Sequence, residues 1–150
     1  MPQSLAQVYI HIVFSTKKRY PFISANVESE LHTYIAGTIK NLNAFPIIVS
    51  GMEDHIHILT TFPRTISIAE FLKKIKASSS HWIKDKGEEF QNFEWQEGYG
   101  AFSVSSSKKQ VVINYIANQK EHHKKQAFQD ELTRFLNEYE IKYDEQYLWD

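Results

Sequence analysis

The segment Asp54-His55-Ile56-His57-Ile58 sets two imidazoles on either side of one isoleucine. Alternate side chains of a β-strand share a face, so His55 and His57 emerge together, and Ile56 and Ile58 emerge opposite. Cα atoms so spaced lie about 7 Å apart, close enough for both rings to grip one metal ion. The same spacing also suits two half-exposed polar residues on a solvent-facing strand side. A second segment, Val111-Val112-Ile113-Asn114-Tyr115-Ile116-Ala117-Asn118-Gln119, carries a phenol and a carboxamide. Residues i and i+4 stack on one helix face, so Tyr115 and Gln119 would project together, held by a buried stripe of Val112, Ile113 and Ile116. Apart from the histidines, Tyr115 reads as a core aromatic and Gln119 as a surface residue.

Together the two segments make a chemically coherent set. A tyrosine hydroxyl is a poor nucleophile at neutral pH because its pKa is about 10. A divalent cation would polarise a scissile phosphate and stabilise charge on the leaving oxygen. Attack by Tyr115 would leave one DNA end in a phosphotyrosyl link and the other with a free hydroxyl. The link keeps the phosphate activated, so a hydroxyl can reverse the step, and strands can be rejoined without an outside energy source. His55, His57 and the Gln119 amide oxygen form a neutral, incomplete ligand set with positions left for phosphate oxygens and water. Mg²⁺ or Mn²⁺ suits that set, Mn²⁺ tolerating imidazole better. A structural zinc site would be closed by four ligands. A hydrolase would need a water-activating base, and no Asp or Glu is placed for one by spacing.

The elements that must position these groups follow from periodicity. Residues 7–16 are rich in β-branched and aromatic types and read as a strand. Residues 25–42 read as a helix, with Val27, Leu31, Ile35 and Ile39 on one face. Residues 46–51 and 55–62 read as strands joined by the short turn Gly51-Met52-Glu53-Asp54. Ser67 and Glu70 have capping-box spacing, opening a helix to about Lys86 whose buried stripe is Ile68, Leu72, Ile75 and Ile83. Residues 87–92 form a loop, and residues 93–106 an extended strand bent at Gly98 and Gly100. Ser106 or Ser107 can cap a third helix running to about His123. A last helix buries Phe128, Leu132, Leu136 and Tyr139, and the apolar tail Tyr147, Leu148 and Trp149 should dock onto something. The order β-α-β-β-α-β-α-α is an α+β, ferredoxin-like (RRM-like) plan: an antiparallel sheet with helices on one face. The other face would stay open as a platform for a ligand or partner.

A chain of 150 residues suits a single domain, residues 1–150. The absence of cysteine excludes disulfides, thiolate zinc sites and a cysteine nucleophile. No secretion signal or membrane-length apolar stretch is legible, which points to the cytoplasm. The net charge is −1, low for a nucleic-acid binder, but local fields guide a phosphate backbone. Lys17, Lys18 and Arg19 form one basic cluster, Lys73, Lys74 and Lys76 a second, Lys108 and Lys109 a third, and His122 to Lys125 a fourth. Each also reads as a solvated face. The first three are candidate DNA contacts, with Trp82, Trp95 or Tyr99 available for stacking on bases; Trp95 and Tyr99 read more readily as packing residues.

Several blocks in this order resemble one family. They are HIVFSTKKRYPF, GMEDHIHIL, FLKKIKASSSHWI, WQEGYGAFSVS, YIANQKEHHKK and the ending IKYDEQYLWD. The chain is similar to the small single-tyrosine transposases of the HUH superfamily, including the repetitive-element-associated ones, over nearly its whole length. The resemblance maps the histidine pair onto His55 and His57, the nucleophile onto Tyr115 and the helix-borne third ligand onto Gln119. It implies a homodimer whose sheets join edge to edge, with active sites that can be shared between subunits. It further implies recognition of imperfect DNA hairpins and cleavage of nearby single strands with a 5′-phosphotyrosine left behind. A domesticated relative nicking repeated hairpins, and a non-catalytic single-stranded nucleic-acid binding module, are the alternatives.

Overall fold

The computed structural model describes residues 3–122 and 127–143. Four strands form one antiparallel sheet: β1 (Tyr9–Ser15), β2 (Pro46–Met52), β3 (His55–Thr61) and β4 (Gly100–Val104), in the order β2-β3-β1-β4. Between β1 and β2 runs helix α1 (Ala25–Asn41), and between β3 and β4 runs α2 (Ile68–Lys84). Three helices follow β4: α3 (Lys109–Ala117), the short α4 (Gln119–His122) and α5 (Phe128–Glu138). The expected ferredoxin-like order is present. Tyr147, Leu148, Trp149 and the basic residues from His123 to Lys125 lie outside the described residues.

Period-two alternation divides the sheet into two unlike faces. Ile10, Ile12 and Phe14 of β1 and Ile56 and Ile58 of β3 face α1 and α2. There they meet Leu31, Ile35 and Ile39 of α1 and Phe71, Leu72, Ile75 and Ile83 of α2, all buried. This apolar layer is the main source of folding free energy, at roughly 25 cal/mol per Å² of apolar surface removed from water. Ser67 caps α2 as its spacing predicted, its hydroxyl accepting from the Glu70 N–H at 3.1 Å.

The opposite face is not open. His11 and Val13 of β1, His55, His57 and Leu59 of β3 and Phe102 and Val104 of β4 lie beneath α3 and α5. Two apolar clusters seal it: Val13 and Phe102 with Phe128, Leu132 and Leu136 of α5, and Leu59 and Val104 with Ile116 of α3. The C-terminal helices are amphipathic and have nowhere else to bury their apolar stripes, so they occupy the platform that the sequence pattern leaves vacant. Tyr139, expected inside, is 41% exposed and donates its hydroxyl to the Ser103 carbonyl at 2.9 Å.

Two element boundaries differ from expectation. The strand anticipated over residues 93–106 is regular only from Gly100, with an isolated bridge between Thr16 and Trp95 before it. The Lys76 ammonium donates to the carbonyls of Gln96 (2.9 Å), Glu97 (3.3 Å) and Gly98 (2.6 Å), drawing them toward α2 and out of the ladder. The helix anticipated from Ser106 or Ser107 to His123 opens with a short 3₁₀ turn, without a serine side-chain cap, and breaks at Asn118. The Asn118 side chain donates to the Asn114 carbonyl at 2.8 Å, a local bond that competes with the helical ladder.

The turn between β2 and β3 shrinks to Glu53 and Asp54, and it sets the position of His55. A Cβ at Gly51 would sit 2.2 Å from the His55 carbonyl oxygen and 3.0 Å from the Ile56 Cα. Both are backbone atoms of a paired strand, so the strand itself must shift. Gly51→Ala is expected to destabilise the fold by about 1–3 kcal/mol, read as a lower urea midpoint at unchanged slope.

Candidate metal and nucleophile site

His55 and His57 project from β3 toward α5 and are both fully buried. The alternative of a half-exposed pair on a solvent-facing strand side is therefore excluded, because α5 lies across them. The Phe128 ring stacks on His55, centroids 4.3 Å apart at 15°. His55 Nδ1 meets Asp54 Oδ1 at 2.7 Å, while its Nε2 faces Gln119 Oε1 at 3.3 Å. His57 Nδ1 meets His11 Nε2 at 2.8 Å, and its Nε2 meets Glu131 Oε1 at 2.8 Å. The other Glu131 oxygen accepts the Tyr115 hydroxyl. Arg134, one turn further along α5, donates to the same hydroxyl at 3.3 Å.

The structure thus brings His55, His57, Tyr115 and Gln119 together within one chain. Tyr115 lies in the last turn of α3 and Gln119 opens α4, so they do not share an uninterrupted helix. The Gln119 amide still reaches back to the Tyr115 carbonyl at 3.4 Å. Among the candidate DNA contacts, Lys108 and Lys109 stand at the start of the Tyr115 helix, with Lys109 over the Tyr9 ring at 5.3 Å. Arg19 lines a cleft of about 240 Å³ together with Asp54 and Phe128, at the edge of the buried group. Lys17 and Lys18 sit in the same turn. Lys73, Lys74 and Lys76 ride on α2, across the sheet from the histidines, and Lys76 is occupied by backbone carbonyls. Trp82 packs against Tyr34, and Trp95 is buried with its indole N–H on Ser79 at 3.0 Å, while Tyr99 is 40% exposed.

Two buried residues of the site escaped the sequence reading. Glu131 falls on the buried face of α5 between Phe128 and Leu132, and a carboxylate at such a position is itself a signal. It supplies the acidic group that spacing did not place. His11 sits between Ile10 and Ile12 in β1, the same alternation that exposed the β3 pair.

The donor set fits a divalent cation. His55, His57 and Glu131 offer ligand atoms within 4.8 Å of one another, all buried. His55 faces acceptor oxygens at both ring nitrogens, which a neutral imidazole cannot satisfy alone. A cation held by Nε2 and the Gln119 oxygen would satisfy it. The nitrogens turned away from this centre are each held by a side chain, Asp54 or His11, the usual way of orienting imidazole ligands.

Electrostatics follow from burial. Burial, reinforced by His57 and opposed by Glu131, brings the His11 pKa down to about 3, so that ring is neutral near pH 7. Burial and then the Glu131 carboxylate push the Tyr115 phenol well above its ordinary value.

The profile of the family described as "Transposase IS200 like" matches residues 4–119. The chain therefore belongs to the IS200-like transposase family, whose members act on DNA. Its fold is shared with a chain from Deinococcus radiodurans R1 assigned as a transposase, at a TM-score of 0.62 and 20% identity, over 79% of this chain and 98% of that one. It is shared too with a REP-associated tyrosine transposase solved bound to a REP hairpin, at a TM-score of 0.60 and 13% identity, over 82% of this chain and 73% of that one. No curated protein sequence matches. No helix of the described residues is long and apolar enough to cross a membrane.

The raised phenol pKa has a measurable consequence. An unfolded tyrosine ionises near pH 10, whereas the native chain keeps the Tyr115 proton beyond that point. Above pH 10 the native state therefore binds more protons, and its stability falls as pH rises. In metal-free protein, the urea midpoint of the unmodified chain should drop more steeply from pH 10 to 11 than that of Tyr115→Phe.

Proposed function

We propose that this protein is a metal-dependent cytoplasmic transposase that cleaves and rejoins single-stranded DNA near hairpins, through a 5′-phosphotyrosine link formed by Tyr115. The observation that carries the reading is the hydrogen-bonded chain from Tyr115 through Glu131 to His57, with His55 and Gln119 alongside. His55, His57, Gln119 and Glu131 would hold Mg²⁺ or Mn²⁺. The ion would supply Lewis-acid polarisation of the scissile phosphate and charge stabilisation at the leaving oxygen.

The residues do the rest. Glu131 accepts the Tyr115 proton and is positioned to take it as the phenol oxygen attacks phosphorus. Arg134 faces the same oxygen and can bind the phosphate that replaces the proton there. The phosphodiester exchanges its bond to the departing 3′ oxygen for one to tyrosine. The freed hydroxyl leaves with the other DNA end, so the reverse attack rejoins strands. Lys17, Lys18 and Arg19 beside the cleft, and Lys108 and Lys109 at the start of α3, would carry the DNA backbone. Lys73 and Lys74 would serve only DNA that wraps past the sheet.

Glu131 also favours a second reading, a water-using metal nuclease with this carboxylate as base. Incubation with hairpin-bearing single-stranded DNA and Mn²⁺ separates the two. A denaturation-resistant protein–DNA adduct is expected, abolished in Tyr115→Phe while DNA binding persists, and stopped reversibly by chelation. Cut ends without any covalent species would establish the nuclease instead.

A homodimer is supported by the family likeness and by the two edge strands, β2 and β4, each paired on one side among the described residues. Because the reacting groups meet within one chain, pairing would assemble two complete sites. Light scattering should give the mass of two chains.

A further inference from the structure

The proposed reaction makes no use of His11, yet this residue is 3% exposed and lies directly behind the site. The register pairs Val13 with His57 and His11 with Leu59, which puts His11 diagonally beside His57 on one sheet face. Its ring is enclosed by the edges of Phe102, Phe135 and Tyr115 at centroid distances of 6.3, 5.3 and 6.4 Å. These rings leave little room for water to replace it.

We propose that His11 is a positioning residue for His57, donating a hydrogen bond to His57 Nδ1 when Glu131 engages Nε2 and accepting one when Nε2 takes a cation. The inference rests on the reading of His57 as a metal ligand. Glu131 as a carboxylate can only accept, so with Oε1 at 2.8 Å His57 Nε2 carries the hydrogen. In the neutral His57 ring Nδ1 is then bare, and His11 Nε2 at 2.8 Å is placed to donate to it. Coordination needs the Nε2 lone pair, so that hydrogen must go and Nδ1 must carry one instead.

The protons balance. His57 gives its Nε2 proton to Glu131 and onward to solvent. It takes at Nδ1 the proton that His11 held at Nε2, and His11 regains one at its own Nδ1 from solvent. Each ring loses one proton, gains one and stays neutral. A lysine in place of His11 could serve only the metal-free state, and a carboxylate only the loaded one. A neutral imidazole, with one donor and one acceptor nitrogen, serves both. His55 differs, because Asp54 at 2.7 Å holds the hydrogen on Nδ1 in both states. The pair thus combines one ligand that is permanently poised with one that can be released to the carboxylate.

The test uses the metal-free full chain and Mn²⁺, with free Mn²⁺ followed by electron paramagnetic resonance. His11→Leu, which keeps an apolar volume but no polar atom, should weaken Mn²⁺ binding by about 10–100-fold. His11→Gln, whose amide can donate or accept, should recover most of the affinity. In the unsubstituted protein, ¹⁵N NMR should show the His57 proton at Nε2 without metal and at Nδ1 with Mg²⁺. Unchanged affinity in His11→Leu, equal loss in the Leu and Gln variants, or a His57 proton that stays put would each overturn the proposal. Should His11→Leu fail to fold, the NMR comparison and His11→Gln still decide it. Mn²⁺ binding that survives in His57→Ala would instead mean that the metal reading had failed, and this inference with it.

Discussion

Polar side chains in this protein sit where water does not reach, and each must be satisfied by another. Two imidazoles, a carboxylate and a carboxamide meet between the sheet and the C-terminal helices, with Asp54 and His11 behind them. An unpaired polar group in such a place costs about 1–3 kcal/mol, and a charge more. The cluster is therefore stable only as a set. Asp54 orients His55, His11 orients His57, and Glu131 joins His57 to Tyr115. Moving one member costs its neighbours a hydrogen bond, which gives the site its defined geometry.

The sheet makes this possible because its faces do different work. One is apolar throughout and locks to α1 and α2. The other frames a polar patch between two apolar clusters, so the C-terminal helices dock firmly while carrying reactive groups. Reactive side chains on strands hold their relative positions better than on loops, and catalysis gains most from groups that need no rearrangement. Gly51 contributes by admitting the His55 backbone where any Cβ would collide. The same docking places Phe128 and Glu131 over the histidines, so α5 both completes the cluster and covers it.

Much of this could be read from residue order. Alternation in β3 located the histidine pair, four-residue spacing located α1, and the Ser67–Glu70 spacing located the start of α2. Each depends on neighbours within one turn or one pleat, where physics is local. The break at Asn118 was missed because one side-chain bond outweighs helical propensity there. The strand before β4 was overextended because Lys76, from another element, captures its carbonyls. Glu131 lay hidden because nothing in its own segment points to a partner 74 residues away.

Residue order settled the available chemistry: a phenol, paired imidazoles and an amide, with no thiol anywhere. It settled the order of elements too, since hydrophobic period is a property of short segments. Folding chose the partners. His57 and Glu131 stand 74 residues apart and His55 and Gln119 stand 64 apart, distances across which spacing carries no information. Only the packing of amphipathic helices onto a twisted sheet brings such groups within bonding range, and that same packing excludes the water that would otherwise keep them independent.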